Sequence, residues 1–293
     1  MFRAGLVPGK DVLRINVYQT ASSYGAEKAI IMAIITISRG SYSKGKEVAE
    51  RVAQTLGYEC ISREVLLEAS EHFNIPEIKL RRALHDAPSI LERFTYGKER
   101  YLAYITAAFL EHVHRDNIVY HGLAGQFFLK GISHVLKIRV LADMEDRAAL
   151  EMKRDKVSRD EALRRLRRDD HERRQWSQQL FGADTWDASL YDAVLHVHRL
   201  TVDNVVNFIC QTVQQQQFKA THASQQVLND LLLAAQVKAR LVDDCPRISI
   251  RAENQVVTIE AQFNQNVEPE LAEKIKVMAL QTPGVKEVQV HPV

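Results

Sequence analysis

The chain has few cysteines and almost no net charge. Its three cysteines stand far apart, at Cys60, Cys210 and Cys245, which predicts free thiols in a reducing compartment and argues against a disulfide framework or a cysteine zinc site. The 39 lysines and arginines nearly balance the 37 aspartates and glutamates, so the net charge of +2 gives no electrostatic case for a nucleic-acid partner. We therefore expect a cytoplasmic protein that binds no nucleic acid.

Other absences narrow the choice further. No apolar run approaches the roughly 20 residues needed to span a bilayer, and the N-terminus lacks the pattern of a signal peptide. Neither a G-x-S-x-G elbow nor a G-x-G-x-x-G loop occurs in context, so hydrolase and dehydrogenase activities gain no support. With 293 residues, 46% of them hydrophobic, the chain is long enough for one large globular domain and a small one.

The most informative stretch that is present covers residues 33–57. Its β-branched run at residues 34–37 predicts a buried strand, a glycine loop follows, and the apolar spacing of a helix begins after Lys46. A strand, a glycine loop and a helix turn backbone N–H groups and the positive end of the helix toward an anion. We therefore predict that ATP phosphates bind at Gly40, Ser41, Ser43, Lys44, Gly45 and Lys46.

The loop matches the phosphate-loop pattern G-x-x-x-x-G-K-[ST] in all but its last position. Glu47 stands where that pattern has the Ser or Thr hydroxyl that meets the metal. A carboxylate there could reach a bound metal through water, or could be an acid favoured by the helix dipole. An ordinary strand–turn–helix without a ligand is the alternative interpretation of this stretch.

Elsewhere the pattern predicts a large α/β domain and a small α+β domain. Residues 1–31 predict a loose N-terminal extension, with Met32 as an expected natural start. Strands at 118–120, 135–141 and 193–197, separated by helical stretches, predict a parallel sheet with helices on both faces over residues 32–213. Residues 214–226 indicate a linker or a helix extension. Residues 227–293 then predict the element order αββαβ.

A long charged helical region is predicted over residues 144–180. Within it, residues 147–174 carry eleven lysines and arginines against seven acids, and Arg164, Arg167 and Arg168 share one face. Arginine forks suit the oxygens of a transferring phosphoryl group, so this helix could close over a nucleotide. A solvated helix laced with ion pairs explains the same pattern.

Two further sets of side chains are candidate ligands. Asp192 precedes a predicted strand, where it could hold a sugar hydroxyl or a base amine or could simply be a turn residue. His196 and His198 would share one face of that strand, but no third ligand adjoins them in the sequence, so the metal site is left unknown.

Taken together, these segments resemble the cytidylate kinase-like family, which is related to the nucleoside monophosphate kinases. The resemblance spans residues 32–213 and keeps the order of the family's segments. It rests on Ile35-Thr36-Ile37-Ser38-Arg39, Gly45-Lys46-Glu47, Asp170-His171-Glu172-Arg173, Phe181-Gly182 and Tyr191-Asp192-Ala193-Val194.

The resemblance implies a P-loop fold that transfers the ATP γ-phosphate to a CMP-like monophosphate with Mg²⁺. It makes Lys46, Arg168 and Arg173 the catalytic cations, and Arg39 and Asp192 the residues facing the nucleoside monophosphate. A nucleotide sensor or scaffold that has lost turnover is the second hypothesis. It is favoured by Tyr42 where the family has a glycine, by Leu123 where the family has an arginine after Gly122, and by the missing Ser or Thr after Lys46.

Residues 227–291 resemble a BON domain through Val256-Val257-Thr258-Ile259-Glu260 and Thr282-Pro283-Gly284-Val285-Lys286-Glu287-Val288. This resemblance implies a small-ligand or phospholipid partner at the C-terminal domain. A membrane-surface adaptor is the weakest hypothesis, because this domain has no obvious basic amphipathic face.

Overall fold

A five-stranded parallel sheet forms the larger part of the molecule. The computed structural model describes residues 33–62, 97–122, 124–261 and 268–292. Its strands lie in the spatial order β2-β3-β1-β4-β5 with every neighbouring pair parallel, which confirms the predicted parallel α/β sheet. They are β1 (Ile34–Arg39), β2 (Glu59–Ile61), β3 (Ile118–His121), β4 (Val135–Ala142) and β5 (Ala193–Val197).

Helices cover both faces of this sheet. Alternate residues of β1 enter different cores: Ile34 packs with residues of α2, whereas Ile35 and Ile37 pack with residues of α1 and α6. Because the sheet is buried on both faces, the sequences of its strands are continuous apolar runs. The helices described in this part are α1 (Gly45–Leu56), α2 (Gly97–Val113), α3 (Gly125–Phe128), α4 (Met144–Asp155), α5 (Arg159–Phe181) and α6 (Val202–Val213).

The charged helical region predicted over residues 144–180 consists of two helices. Helix α4 ends at Lys156, which takes a left-handed conformation with φ of 54°. Helix α5 begins after Ser158, whose hydroxyl accepts a hydrogen bond from the Glu161 N–H; this Ser-x-x-Glu spacing is typical of a helix N-terminus. The two helices form a helical hairpin around the buried residues Ala148, Ala162, Leu163 and Leu166.

The C-terminal part has the predicted order αββαβ. Its three-stranded sheet has the order β6-β7-β8, with β6 and β7 antiparallel and β7 and β8 parallel. The polar stretch 214–226 holds a short 3₁₀ helix, Gln216–Phe218, and then the first turn of α7. The elements are α7 (His222–Leu241), β6 (Ile248–Glu253), β7 (Val256–Ala261), α8 (Glu268–Leu280) and β8 (Glu287–Pro292).

Helix α7 contributes to two cores. Its residues Leu233, Val237 and Leu241 pack with the three-stranded sheet, while Leu228, Ala235, Ala239 and Val242 at its end pack with α2 and the larger sheet. Polar contacts support the second face: His114 Nε2 lies 2.8 Å from Asn229 Oδ1, and Gln236 donates to Glu111 at 2.9 Å. Residues 31–293 form one compact unit, and the domain boundaries at residues 213 and 227 stay a prediction.

The remaining expectations concern the cysteines, membrane-spanning helices and the N-terminal extension. None of the three cysteines, all of which the structure describes, forms a disulfide, and burial raises the pKa of Cys210. None of the helices in the described ranges is long and apolar enough to cross a membrane. The expected extension at residues 1–31 and the start at Met32 lie outside the described residues.

Candidate active site

The predicted phosphate loop lies between β1 and α1 at the carboxyl edge of the parallel sheet. A Cβ atom on Gly45 would stand 2.6 Å from the Cβ of Arg39, so only glycine allows α1 to begin this close to β1. The Ser43 hydroxyl donates to the Gly40 carbonyl at 3.0 Å and closes the loop on itself. Because the first turn of a helix leaves N–H groups without intrahelical partners, this loop can offer them to an anion.

Two non-glycine residues of the loop adopt left-handed conformations. Tyr42 has φ of 55° and Lys44 has φ of 65°, which is where glycine is conformationally cheap. The Tyr42 side chain packs against the helical hairpin beside Met144 and Val157, and its ring lies under the guanidinium of Arg154 at 5.4 Å. Tyr42 thus joins the loop to the hairpin, and this packing offsets the cost of its backbone conformation.

The two loop lysines pair with acids of α1. Lys44 Nζ lies 3.2 Å from Glu47, and Lys46 Nζ lies 3.5 Å from Glu50. The Lys46 side chain is 65% exposed. Because exposed pairs of this kind contribute only about 0.2–1 kcal/mol, either lysine can turn toward a phosphate at little cost.

Arg147 of α4 connects the hairpin to the loop. Its Nε donates to the Ser41 carbonyl at 2.7 Å, and its two terminal nitrogens donate to both oxygens of Asp170 at 2.8 Å each. Both side chains are largely buried, at 8% and 14% exposure. A bidentate arginine–carboxylate pair is among the stronger polar contacts in proteins, so Arg147 holds α4, α5 and the loop together.

Arg173 of α5 approaches the same loop from the other side. It donates to the Arg39 carbonyl and to the Ser41 hydroxyl, each at 3.4 Å, and that hydroxyl donates to Asp169 at 3.1 Å. Desolvation lowers the pKa of Arg173 from its usual range, while Asp169 and Asp170 raise it. Arginine nevertheless keeps its charge in proteins, so a partly desolvated cation faces the loop.

A third arginine lies beneath the loop, inside the sheet. Arg139 of β4 is buried and donates to the Ser38 hydroxyl at 3.2 Å and to the Tyr191 hydroxyl at 3.4 Å. We call Arg139, Arg147 and Arg173 the arginine cluster; their charges are close enough that Arg147 and Arg139 both lower the pKa of Arg173. The predicted site did not include Arg139 or Arg147, although a charged residue within an apolar strand was a signal for the first.

The structure does not bring every predicted site residue to the loop. Arg168 is 67% exposed and lies 3.7 Å from Glu172 of its own helix. Asp192 lies at the amino end of β5, where its carboxylate accepts the Lys137 N–H at 2.7 Å; its role toward a nucleoside stays a prediction. Leu123, at the position of the family's arginine, lies outside the described residues.

The residues present fit a phosphate and a magnesium ion. A Cβ on Gly40 would lie 3.2 Å from Arg147 Nη2 and 3.3 Å from Asp170 Oδ1, so the glycine lets the guanidinium and the carboxylate approach the loop backbone closely. Beside it, the Ser41 hydroxyl and the Asp169 carboxylate, 3.1 Å apart, offer the oxygen ligands that Mg²⁺ prefers.

Three solved structures are similar to part of this chain. An uncharacterised protein from Eubacterium ventriosum ATCC 27560 has 18% identity and a TM-score of 0.49, covering 63% of this chain and 99% of its own. Shikimate kinase from Acinetobacter baumannii, in complex with shikimate, has 15% identity and a TM-score of 0.36, covering 64% and 96%. Dephospho-CoA kinase from Campylobacter jejuni has 16% identity and a TM-score of 0.32, covering 61% and 96%.

No curated protein matches the sequence significantly. The sequence pattern of the Cytidylate kinase-like family, by contrast, matches residues 34–199. That match covers more than half of the chain and includes the loop, the arginine cluster and all five strands of the parallel sheet. The chain therefore belongs to the cytidylate kinase-like family.

Proposed function

We propose that this protein transfers the γ-phosphate of ATP to a CMP-like nucleoside monophosphate, with Mg²⁺ as the metal. The observation that carries the proposal is that Arg147 and Arg173 both contact Ser41 in the loop between β1 and α1, while Arg139 donates to Ser38 at the end of β1. Phosphoryl transfer depends on positioning and on neutralising charge that spreads over phosphate oxygens. Three arginines beside a glycine loop and a helix N-terminus supply that neutralisation.

Each residue of the site has a task under this proposal. The loop amides and Lys46 bind the phosphates of ATP, and Arg147 and Arg173 contact the transferring group from the hairpin. Asp169 and Ser41 hold Mg²⁺, which neutralises phosphate charge when bound. Arg168 is proposed to join the cluster only if the hairpin moves on nucleotide binding, because in this structure its side chain is exposed.

A nucleotide sensor without turnover is the second candidate. The observation that favours it is the left-handed backbone at Tyr42 and Lys44, together with ion pairs that direct Lys44 and Lys46 along α1. In such a protein the site would bind ATP while the lysines stay on their acids, and the nucleotide would act as a signal to the C-terminal part.

One sample separates the two candidates. Calorimetric titration with ATP and Mg²⁺ is followed by a coupled ADP-release assay with CMP, dCMP, UMP and AMP. Binding with ADP release that depends on a monophosphate supports the enzyme and identifies its acceptor, whereas binding without release supports the sensor. No binding would overturn both.

Lys46→Ala tests the loop itself. We expect it to abolish monophosphate-dependent ADP release, because this lysine would balance charge on the ATP phosphates. Its unfolding midpoint should stay unchanged, since an exposed ion pair adds little stability. Lys276→Ala, at an exposed position of α8, is the matched control, and retained turnover in Lys46→Ala would refute the assigned role.

The C-terminal part is proposed to act as a BON-like module that binds a small ligand or phospholipid. Its αββαβ order supports this proposal. Co-sedimentation of the full chain with phosphatidylglycerol vesicles tests the lipid alternative, and protein that stays in the supernatant would eliminate it. Location in the cytoplasm is likewise a proposal.

A further inference from the structure

Two histidines and two aspartates meet at the carboxyl edge of β4 and β5. His196 and His198 lie on one exposed side of β5, and Asp143 and Asp146 lie one turn apart at the start of α4. Register places the end of β5 beside the end of β4, with Leu141 opposite His196. The sequence separates these pairs by about fifty positions, so a histidine pair without a visible third ligand acquires two carboxylates only in the fold.

The contacts within this group are close enough for a shared ion. His198 Nδ1 lies 2.8 Å from Asp143 Oδ2 and 3.2 Å from Asp146 Oδ2, and the three ligand atoms all lie within 4.8 Å of one another. Two ligands of a tetrahedral zinc ion stand about 3.3 Å apart, given bonds of about 2.0 Å. A small rotation of these half-exposed side chains suffices to place them around one ion.

Two details of the geometry direct these side chains toward a common point. Asp143 is the N-cap residue of α4, yet its carboxylate makes no capping hydrogen bond to the helix; it turns toward the histidines instead. His196 Nε2 lies 3.1 Å from Asp143 Oδ1, the oxygen that does not face His198. A second group that bonds a ligating carboxylate in this way fixes its orientation.

We propose that Asp143, Asp146 and His198 bind a divalent transition-metal ion of the zinc type, with His196 positioning Asp143. Imidazole nitrogen with carboxylate oxygen suits Zn²⁺ or Co²⁺, whereas Mg²⁺ favours oxygen ligands alone. The site is separate from the magnesium position assigned to Asp169 and Ser41, and it goes beyond the proposed phosphotransfer.

A metal ion bound at this site would also fix the position of the first turn of α4. The Arg147 N–H donates to the Asp143 carbonyl at 3.0 Å, and Arg147 follows Asp146 directly. An ion held by both aspartates and His198 would therefore fix the turn that carries Arg147 to the edge of β5. It would stabilise the position from which Arg147 reaches the loop.

Titration of the full-length protein with CoCl₂ tests the proposal. We expect visible ligand-field absorbance that saturates at one equivalent of Co²⁺ and is abolished by ZnCl₂, while excess MgCl₂ leaves it in place. His198→Gln should abolish the absorbance, and His196→Gln should weaken the affinity by about 10- to 100-fold. His291→Gln, at an exposed histidine of β8, is the matched control and should titrate as the unchanged protein does.

Several results would overturn the proposal. Absorbance that never appears, that survives His198→Gln, or that disappears equally in His291→Gln would each exclude this site and leave only ion pairs among the four side chains. Displacement of Co²⁺ by Mg²⁺ would exclude the transition-metal class. Far-UV circular dichroism in EDTA monitors folding, and Asp146→Asn replaces His198→Gln if the latter does not fold.

Discussion

At the scale of single residues, Arg147 connects the loop to both helices of the hairpin. Its guanidinium binds the Ser41 carbonyl and both oxygens of Asp170, so one side chain links three segments of the site. Lysine keeps the charge but cannot make the planar fork. We expect Arg147→Lys to lower the rate of ADP release about 100-fold and the free energy of unfolding by about 2 kcal/mol, measured by the coupled assay and by urea denaturation.

The control for Arg147→Lys is an arginine on the same hairpin that faces solvent. Arg164 is 74% exposed and pairs with Glu161 of its own helix. Arg164→Lys should therefore change both measurements within experimental error. Equal losses in the two variants would show that the hairpin needs positive charge in general and would contradict a specific role for Arg147.

Gly45 offers a substitution in which two effects oppose each other. Alanine is favoured over glycine in helices by up to about 1 kcal/mol, but its Cβ would stand 2.6 Å from the Arg39 Cβ. That neighbour belongs to the base of a side chain and cannot move without the strand, and such overpacking costs about 1–3 kcal/mol. We therefore expect Gly45→Ala to lower the melting temperature.

Gln54→Ala is the matched test of helix propensity alone, because Gln54 is an exposed residue of the same helix. We expect its melting temperature to stay equal or to rise. A Gly45→Ala variant that is as stable as Gln54→Ala would mean that β1 and α1 can separate. It would contradict the conclusion that only glycine allows α1 to begin this close to β1.

At the scale of elements, Tyr42 connects the loop to the helical hairpin. This loop residue packs on the small core of α4 and α5, and burying part of an aromatic ring contributes about 1–2 kcal/mol. We expect Tyr42→Ala to speed amide hydrogen exchange in α5 around Leu163 and Leu166. Tyr42→Phe keeps the ring and should leave the exchange rates near those of the unchanged protein.

A third variant separates packing from backbone strain. Tyr42→Gly loses the same ring but removes the left-handed strain at φ of 55°, so its stability should lie between those of Tyr42→Ala and Tyr42→Phe. If Tyr42→Ala exchanges no faster than Tyr42→Phe, the loop does not hold the hairpin, and the contact is incidental.

The same elements show what the sequence could and could not predict. The strands were predictable because buried parallel strands are continuous apolar runs. The break between α4 and α5 was not predicted, although Ser158 and Glu161 carry a helix-start signal, because charged residues continue on both sides of it. Spacing placed Arg164, Arg167 and Arg168 on one face, but it could not tell which arginines meet the loop, since that depends on how the hairpin folds back.

The same limit applies to the site: contacts within one segment can be predicted from the sequence, and contacts between distant segments cannot. Residues within one segment, such as Gly40 to Lys46, were predictable because their spacing alone defines a loop. Arg139, Arg147 and Asp169 act together only through tertiary contacts. Likewise, the carboxylates of Asp143 and Asp146 lie beside His198 although they come from a distant part of the sequence, and a single sequence holds no direct record of that approach.

At the scale of the whole molecule, α7 makes the two sheets depend on each other. One of its faces enters the core of the larger sheet through Leu228, and another enters the core of the three-stranded sheet through Leu241. Both leucines are fully buried. A helix that is needed by two cores cannot lose its packing in one of them without weakening the other.

Leu241→Ala tests this dependence with the chain's own fluorophores. Both tryptophans, Trp176 and Trp186, lie in α5 and the segment after it, so fluorescence reports on the larger part, whereas circular dichroism reports on all elements. A buried leucine replaced by alanine costs about 2–5 kcal/mol. We expect Leu241→Ala to shift the fluorescence and circular dichroism transitions in urea together and by the same amount.

The control is Leu280→Ala, at a position that is 42% exposed in α8, which should shift neither transition. A fluorescence transition that stays in place while circular dichroism becomes biphasic would show that the two parts unfold independently, with a boundary near the predicted residues 214–226.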